Sequence, residues 1–238
     1  EAADEWVIDG EKAFITNSGT SITSIVTITA RTGADEISTI VVPSGTPGFE
    51  VQPAYRKMGW HASDTHGLAF TGCRVPADNL LGTRGRGFAQ LLAILDDGRV
   101  AIAAMAVGVI KRCLDDSLAY AQERNAFGRA IGTYQAVAFQ IADLQVALEA
   151  SQALVYRAAW LRDQGQPFKR EAAVAKLYAT EAAVSATRTA TQVFGGAGFM
   201  DDTAVARHYR DSKVLEIGEG TSEIQRLVIS RELGLAPQ

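Results

Sequence analysis

Proline placement divides this chain before any other feature does. Four of its six prolines (Pro43, Pro47, Pro53 and Pro76) fall in the first third, and the stretch from Ala77 to Gln166 contains none. A proline inside a helix removes a hydrogen bond and collides with the preceding turn, at a cost of about 3 kcal/mol. The proline-free stretch, rich in Ala, Leu, Gln and charged residues, can therefore build long helices, and the first third cannot. There, the β-branched runs SITSIVTITA, ISTIVVP and GLAFTGCRVP lie between turn residues and predict strands. From Ile22 to Ala30 apolar residues alternate with Thr or Ser, the pattern of a half-buried strand, and short connections predict antiparallel neighbours. The change to helix is expected near residues 80–86. The fold class read from this is α+β, with a partial antiparallel β-domain over residues 1–82 and an all-α four-helix-bundle domain over 83–238.

Three long helices follow from the 3.6-residue period. The first places Phe88, Leu91, Leu92, Leu95, Ile102, Ala106 and Val109 on one face and runs to about Arg124, where ERNAFGRAIGTY breaks it. The second, from about Tyr134 to Gln164, turns Ile141, Leu144, Leu148, Val155 and Ala159 inward and stops at Gly165–Pro167. The third covers about Arg170 to Phe194 and ends at Gly195-Gly196, which cannot continue a helix cheaply. A short helix is expected from Ser222, with Ser222 and Gln225 at capping-box spacing.

Composition excludes several functions. A net charge of -4 argues against a face built for phosphate backbones, so nucleic acid is not expected as a partner. Cys73 and Cys113 have no CxxC spacing and read as reduced structural thiols; His61, His66 and His208 are too scattered to suggest a metal site. No segment approaches the roughly 18 apolar residues of a membrane span, so membrane partners are not expected. The sequence opens at Glu1 with no initiator Met, and its first residues read as the approach to a strand, which leads us to expect further chain upstream.

The glycine-rich GTRGRG of Gly82–Gly87 lacks the preceding buried strand and the spacing of a dinucleotide fingerprint, and there is no phosphate loop, GxSxG elbow or HExxH. Three places at helix ends remain, where free N–H groups can bind anions. Arg124 with Phe127 and Gly128 suits a pyrophosphate and a flat ring, or is an ordinary helix C-terminal arginine. QVFGGAGF, Gln192–Phe199, lets a ligand approach the backbone, or simply stops a helix. GEGTS, Gly218–Ser222, sets a carboxylate between two glycines before a helix, or forms a solvated turn.

In order, FITN (Phe14–Asn17), TPGF (Thr46–Phe49), LDDGR (Leu95–Arg99), ERNAFG (Glu123–Gly128), the YQA containing Gln135, QVFGGAGF, RHYRD (Arg207–Asp211) and EIGEGTSEIQRLVI resemble the acyl-CoA dehydrogenase family, most closely its short-chain and branched-chain members. The resemblance covers essentially the whole chain. It implies an N-terminal helical domain, a middle β-domain and a C-terminal four-helix bundle, of which the first and the opening of the second are not in this sequence. It implies α,β-dehydrogenation of an acyl-CoA thioester to a trans-2-enoyl-CoA with FAD: a carboxylate takes the α-proton and the β-hydrogen leaves as hydride to flavin N5. Glu219 matches the carboxylate. Such a group is a weak base in water, so desolvation must strengthen it, while the dipole of the following helix opposes this. The polarising donors in the family are the base's own N–H and a ribityl hydroxyl.

By the same resemblance, Asp96, Asp97, Gly98 and Arg99, together with Gly220, match substrate-facing positions. Some members carry the base at the position of Gly98, where glycine cannot serve. Phe14, Ile15 and Thr16 match the stretch that packs on the isoalloxazine. Arg124, Phe127, Gln135, Gln192, Val193, Phe194, Gly195 and Gly196 match the edge where a neighbouring subunit grips pyrophosphate and adenine, and Thr221, Ser222 and Glu223 lie on the phosphate side. Shared FAD implies an oligomer, a tetramer in this family, with an electron-transfer flavoprotein as acceptor and a location in bacterial cytoplasm or mitochondrial matrix. An acyl-CoA oxidase or a non-catalytic flavin- or acyl-CoA-binding scaffold are the alternatives. Phe14 stands where many members have Trp. Gly218 stands where short- and medium-chain enzymes have Tyr, which widens the acyl pocket and favours a branched or bulkier group.

Overall fold

The computed structural model describes residues 4–236, which fall into two compact units divided in sequence between Ile94 and Leu95. The first unit contains β1 (Glu5–Thr16), β2 (Ile25–Gly33), β3 (Glu36–Pro43), β4 (Phe49–Ala54), β5 (Thr65–Pro76) and β6 (Leu80–Leu81). These make two three-stranded antiparallel sheets, ordered β1-β5-β4 and β2-β3-β6. The strand expected from Ile22 begins later, at Ile25. The hydroxyls of Thr20 and Thr23 bond each other at 2.7 Å and Thr23 donates to the Asn17 carbonyl at 2.6 Å, which commits the preceding residues to a turn.

Strand alternation supplies the core. Ser38, Ile40 and Val42 of β3 are buried in phase, and Leu68 and Phe70 of β5 share a phase that changes to Cys73 and Val75 further along. Gly72, at φ +54°, makes that change possible: the pairing slips between Ile8 and Gly10 of β1, and Asp9 Oδ1 accepts the Gly72 N–H at 2.7 Å. Both phases then feed one cluster of Trp6, Ile8, Val26, Ile28, Ile40, Val42, Leu68, Phe70, Cys73 and Val75. Phe49 stacks on Phe70 with centroids 4.9 Å apart.

Helix α1 (Gly87–Glu123) contributes its first two turns to the first unit and the rest to the second. The second unit continues with a hairpin of β7 (Asn125–Ala126) and β8 (Arg129–Ala130), then α2 (Gln135–Asp163), α3 (Lys169–Phe194), α4 (Ala204–Ser212) and α5 (Ser222–Glu232). Helix α3 packs against α2, α4 and α5. Its inward line is almost all small, including Ala172, Ala175, Ala179, Ala183, Ala186 and Ala190, so neighbouring backbones can come close.

Three sequence expectations change. The inward line of α1 is Arg99, Ala103, Ala106, Ile110, Cys113, Ser117 and Ala121; Phe88, Leu91 and Leu92 are exposed, and only Ala106 of the predicted face is buried. The helix is apolar on several sides, so side-chain size misleads where a small-residue seam packs best. On α2 Leu144, Leu148 and Val155 are buried as expected, Ile141 is half-buried, and Ala158 is buried in place of Ala159. Helix α4 has no counterpart in the sequence expectations: it is short and polar around Arg207–Asp211, and its only buried residues are Val205, Ala206 and Ser212. Among the described residues no helix is long and apolar enough to cross a membrane.

Candidate active site

The loop carrying Glu219 is built by local hydrogen bonds. After a 3-10 turn over Lys213–Glu216, the N–H groups of Ile217 and Gly218 both return to the Val214 carbonyl, at 3.0 and 2.8 Å. The chain then reverses through Glu219 at φ +55° and Gly220 at φ +91° into α5. Glycine adopts this region freely, but a side-chain-bearing residue pays for it. The α5 cap is Thr221, whose Oγ1 accepts from the Ile224 N–H at 3.4 Å; this corrects the expectation of a Ser222–Gln225 capping box. Ser222 instead lies one position inside the helix with its Oγ buried and, among the described residues, without a partner.

What holds Glu219 in its unfavourable backbone region lies beneath it. The Gly220 carbonyl accepts from Lys176 Nζ at 2.7 Å and from Gln225 Nε2 at 2.8 Å, and Gln225 Nε2 also reaches the Glu219 carbonyl at 3.2 Å. Lys176 and Gln225 are both fully buried. Burial lowers the Lys176 ammonium to about 8, opposed by the nearby carboxylates of Glu216 and Glu219. Neither role was read from the sequence, though Lys176 carried a signal: a lysine in phase with the inward alanines of α3 needs a buried partner.

The Glu219 carboxylate is exposed, and among the described residues it has no hydrogen bond or ion pair. Its backbone N–H likewise has no acceptor among them. A Cβ added to Gly98 of α1 would lie 2.5 Å from Glu219 Oε2, so the missing side chain at 98 is the space the carboxylate uses. Its sequence neighbours divide. Arg99 is buried and paired with Asp96, whose carboxyl burial pushes up while Arg99 pulls it down. Asp97 is exposed and paired with Arg162 of α2. Arg99 Nε is buried without a partner among the described residues.

In the first unit, Phe14 sits at φ +60°, three-quarters exposed, with its ring centroid 5.2 Å from that of Tyr55. Ile15 packs against the core and Thr16 is exposed. The loop that follows is tied down by Asp64, whose carbonyl accepts the Asn17 N–H at 3.1 Å and whose Oδ2 accepts the Gly19 N–H at 2.8 Å. Asp64 Oδ1 lies 2.5 Å from His66 Nε2, and His66 Nδ1 lies 2.6 Å from the Gln52 carbonyl. Both ring nitrogens face acceptors, which favours the charged form of the ring, and the Gln52 carbonyl and then Asp64 raise the His66 imidazole above its ordinary value.

The remaining positions belong to the second unit. Phe127 (φ +52°) and Gly128 (φ +84°) form the two-residue tip of the β7–β8 hairpin, the positive pair a tight hairpin turn requires. Phe127 is 96 % exposed; Arg124 and Gln135 are exposed at the end of α1 and the start of α2. Gln192 is exposed, but Val193 is buried and Phe194 stacks on Tyr120 at 4.1 Å, so both contribute to packing in the unit itself. Gly195 and Gly196 are exposed, with nothing within 4 Å of an added Cβ. Glu223 is exposed, and its own N–H and the Thr221 hydroxyl hold its carboxyl below the usual range. Among the described residues, five non-glycine residues have positive φ: Phe14, Asn17, Trp60, Phe127 and Glu219. Three of them, Phe14, Phe127 and Glu219, are positions singled out from the sequence.

Comparison with known proteins meets this picture on both units. The family model described as acyl-CoA dehydrogenase, middle domain, matches residues 1–73, and that described as acyl-CoA dehydrogenase, C-terminal domain, matches residues 85–234. A Bacillus subtilis protein named as a probable acyl-CoA dehydrogenase is 48% identical over 97% of this chain and 61% of its own length. The mouse mitochondrial short-chain specific acyl-CoA dehydrogenase is 44% identical over 98% of this chain and 57% of its own. The structure of butyryl-CoA dehydrogenase from Megasphaera elsdenii superposes with a TM-score of 0.93 at 38% identity, covering 96% of this chain and 60% of that one. The chain thus spans about three-fifths of the length of these relatives. With one family model over its strands, another over its helices, and relatives matched almost from end to end, this chain belongs to the acyl-CoA dehydrogenase family.

Proposed function

We propose that the protein containing this chain oxidises an acyl-CoA thioester to its trans-2-enoyl-CoA, with Glu219 removing the α-proton. One observation carries the reading: beside the space left by Gly98, a left-handed residue displays a carboxylate and an N–H that have no partner among the described residues. That residue can take a proton at Oε while its N–H polarises a carbonyl oxygen, the two tasks needed to form an enolate from a thioester. Glu219 is open to water in the chain alone, so exclusion of water by bound substrate is the step that strengthens it as a base.

The residues present fit FAD. Ser222 has a buried hydroxyl without a partner, and the backbone at Gly195 and Gly196 is uncrowded; both suit a group rich in phosphate oxygens. By the resemblance, Arg124 would meet the pyrophosphate and Phe127 a flat ring of the cofactor shared with a neighbouring subunit, with the exposed Gln135 and Gln192 as further polar contacts; in the first unit, Phe14 with Ile15 and Thr16 would pack on an isoalloxazine. Glu223, already engaged by its own N–H and Thr221, would help hold the start of α5 and not bind phosphate directly. FAD supplies the acceptor for the β-hydrogen. The family resemblance further supports a homotetramer and an electron-transfer flavoprotein as oxidant.

Gly218 bears on the acyl group. A Cβ there would meet only the Val214 carbonyl at 3.4 Å, so a side chain is sterically tolerable and the glycine leaves space unfilled. The acyl group proposed is short, as in the names of the relatives, with room for a branch near the α and β carbons. Anaerobic titration of the full-length flavoprotein with acyl-CoAs of graded length and branching tests this through loss of flavin absorbance. Bleaching by short straight or branched chains is expected, and none with any acyl-CoA would overturn the reading. Reoxidation by air with fast peroxide formation would point to an oxidase.

A further inference from the structure

We infer that Lys176 is a positioning residue for the base: through the Gly220 carbonyl it fixes the backbone of Glu219, and with it both the carboxylate and the free N–H. The inference rests on the proposed role of Glu219. A fully buried lysine in an alanine-lined seam is costly unless it does something an apolar residue cannot. Among the described residues the one hydrogen bond of the Lys176 ammonium goes to the Gly220 carbonyl, at 2.7 Å. Helix α3 could have closed on α5 with another alanine; instead it sends a four-carbon stem and a charge to one main-chain oxygen beside the base.

The geometry explains what that oxygen needs. Glu219 stands at φ +55°, where a residue with a side chain is strained, and the peptides on its C-terminal side must be held or the loop relaxes. Two donors hold them from below: Lys176 on Gly220 O, and Gln225 Nε2 on Gly220 O and Glu219 O. Lys176 and Gln225 come from different helices, α3 and α5, so the grip fixes the loop to the bundle and not merely to its own helix. The charged groups around the ammonium are Glu216, Arg99, Glu219 and Glu181. The carboxylates among them keep a cation tolerable there, and a charged donor makes a stronger hydrogen bond than a neutral one. Loss of the grip releases Glu219 to ordinary backbone angles and moves its carboxylate and N–H off the thioester, without removing any group that touches the substrate.

The test uses the full-length, FAD-loaded protein and reads the base directly, as deuterium exchange at the α-carbon of a bound acyl-CoA in D2O, beside the rate of anaerobic flavin reduction. Parent, Lys176→Met, Gln225→Leu and Glu219→Gln are compared, with flavin content and enoyl-CoA affinity measured for each. Lys176→Met is expected to slow both exchange and reduction by about 100-fold while flavin content and product affinity stay within about 3-fold, a split that general unfolding cannot produce. Gln225→Leu, which removes the second donor to the same carbonyl, is expected to slow both about 10-fold and carries the test alone if Lys176→Met fails to fold. Parent-like exchange in Lys176→Met, or in Gln225→Leu where only that variant folds, would overturn the inference while loss of exchange in Glu219→Gln left the base assignment standing. Exchange persisting in Glu219→Gln would overturn both.

Discussion

Gly98 and Glu219 share one volume: the carboxylate oxygen of Glu219 lies 2.5 Å from where a β-carbon on residue 98 would be. The clash would be with the far end of a flexible side chain, so an added methyl displaces the carboxylate and leaves the helix intact. Gly98→Ala should therefore separate stability from turnover. Alanine in place of glycine inside α1 favours the helix by up to about 1 kcal/mol, while the displaced base loses alignment. The expected outcome is an unchanged or raised melting temperature with kcat reduced about 10-fold or more, read by thermal melts and steady-state dye reduction.

The start of α5 gives a second separation. Thr221 caps the helix through a 3.4 Å bond, whereas the Ser222 hydroxyl is buried without a partner. Thr221→Ala should cost about 0.5–1 kcal/mol, the low end for a cap because the bond is long. Ser222→Ala should be neutral or slightly stabilising in the flavin-free protein, since it removes an unsatisfied buried group. In the flavin-loaded protein the same change should weaken FAD retention. Urea unfolding and flavin release measure the two.

The loop after β1 should respond to pH through Asp64 and His66. His66 is raised, so its contribution to stability is complete below the unfolded value of about 6.5 and is lost as pH rises through the folded value. Asp64 is lowered, chiefly by the Gly19 N–H, so its contribution is present above its unfolded value and lost as pH falls through the folded one. Lys57 adds a further lowering on Asp64. The tie is thus strongest between those limits. The stability difference between parent and His66→Gln should be larger near about pH 6 than near about pH 9, and NMR titration should show the His66 ring protonated past its ordinary midpoint. Gly19→Ala should break the same tie, because its β-carbon would overlap the His66 ring.

Both thiols should be inert in the folded protein. Burial raises Cys73, and burial, helped by Asp116, pushes Cys113 up to about 12. The thiolate is the reactive form, so a thiol reagent should label neither native residue and both after denaturation.

Much of this was legible in the sequence because the governing interactions are local. Proline placement marks the strand-to-helix change, and Gly195 at φ +58° ends α3 directly after Phe194 as its glycine pair predicts. What was hidden depends on packing between segments distant in the chain. The seam of α1 uses Ala103, Ile110 and Cys113 where larger residues advertised another face, and the phase change in β5 turns on a pairing slip opposite β1. At the site, Glu219 was visible as an acid between glycines. Its support was not: Lys176 lies 44 positions away from the carbonyl it grips, and only the fold brings them together.

The most direct measurement is anaerobic mixing of full-length Glu219→Gln and parent flavoprotein with short-chain acyl-CoAs, following flavin absorbance. The glutamine is nearly isosteric and cannot accept the α-proton, so the parent should bleach and Glu219→Gln should remain oxidised while still binding the thioester. Equal bleaching by the two would contradict the account.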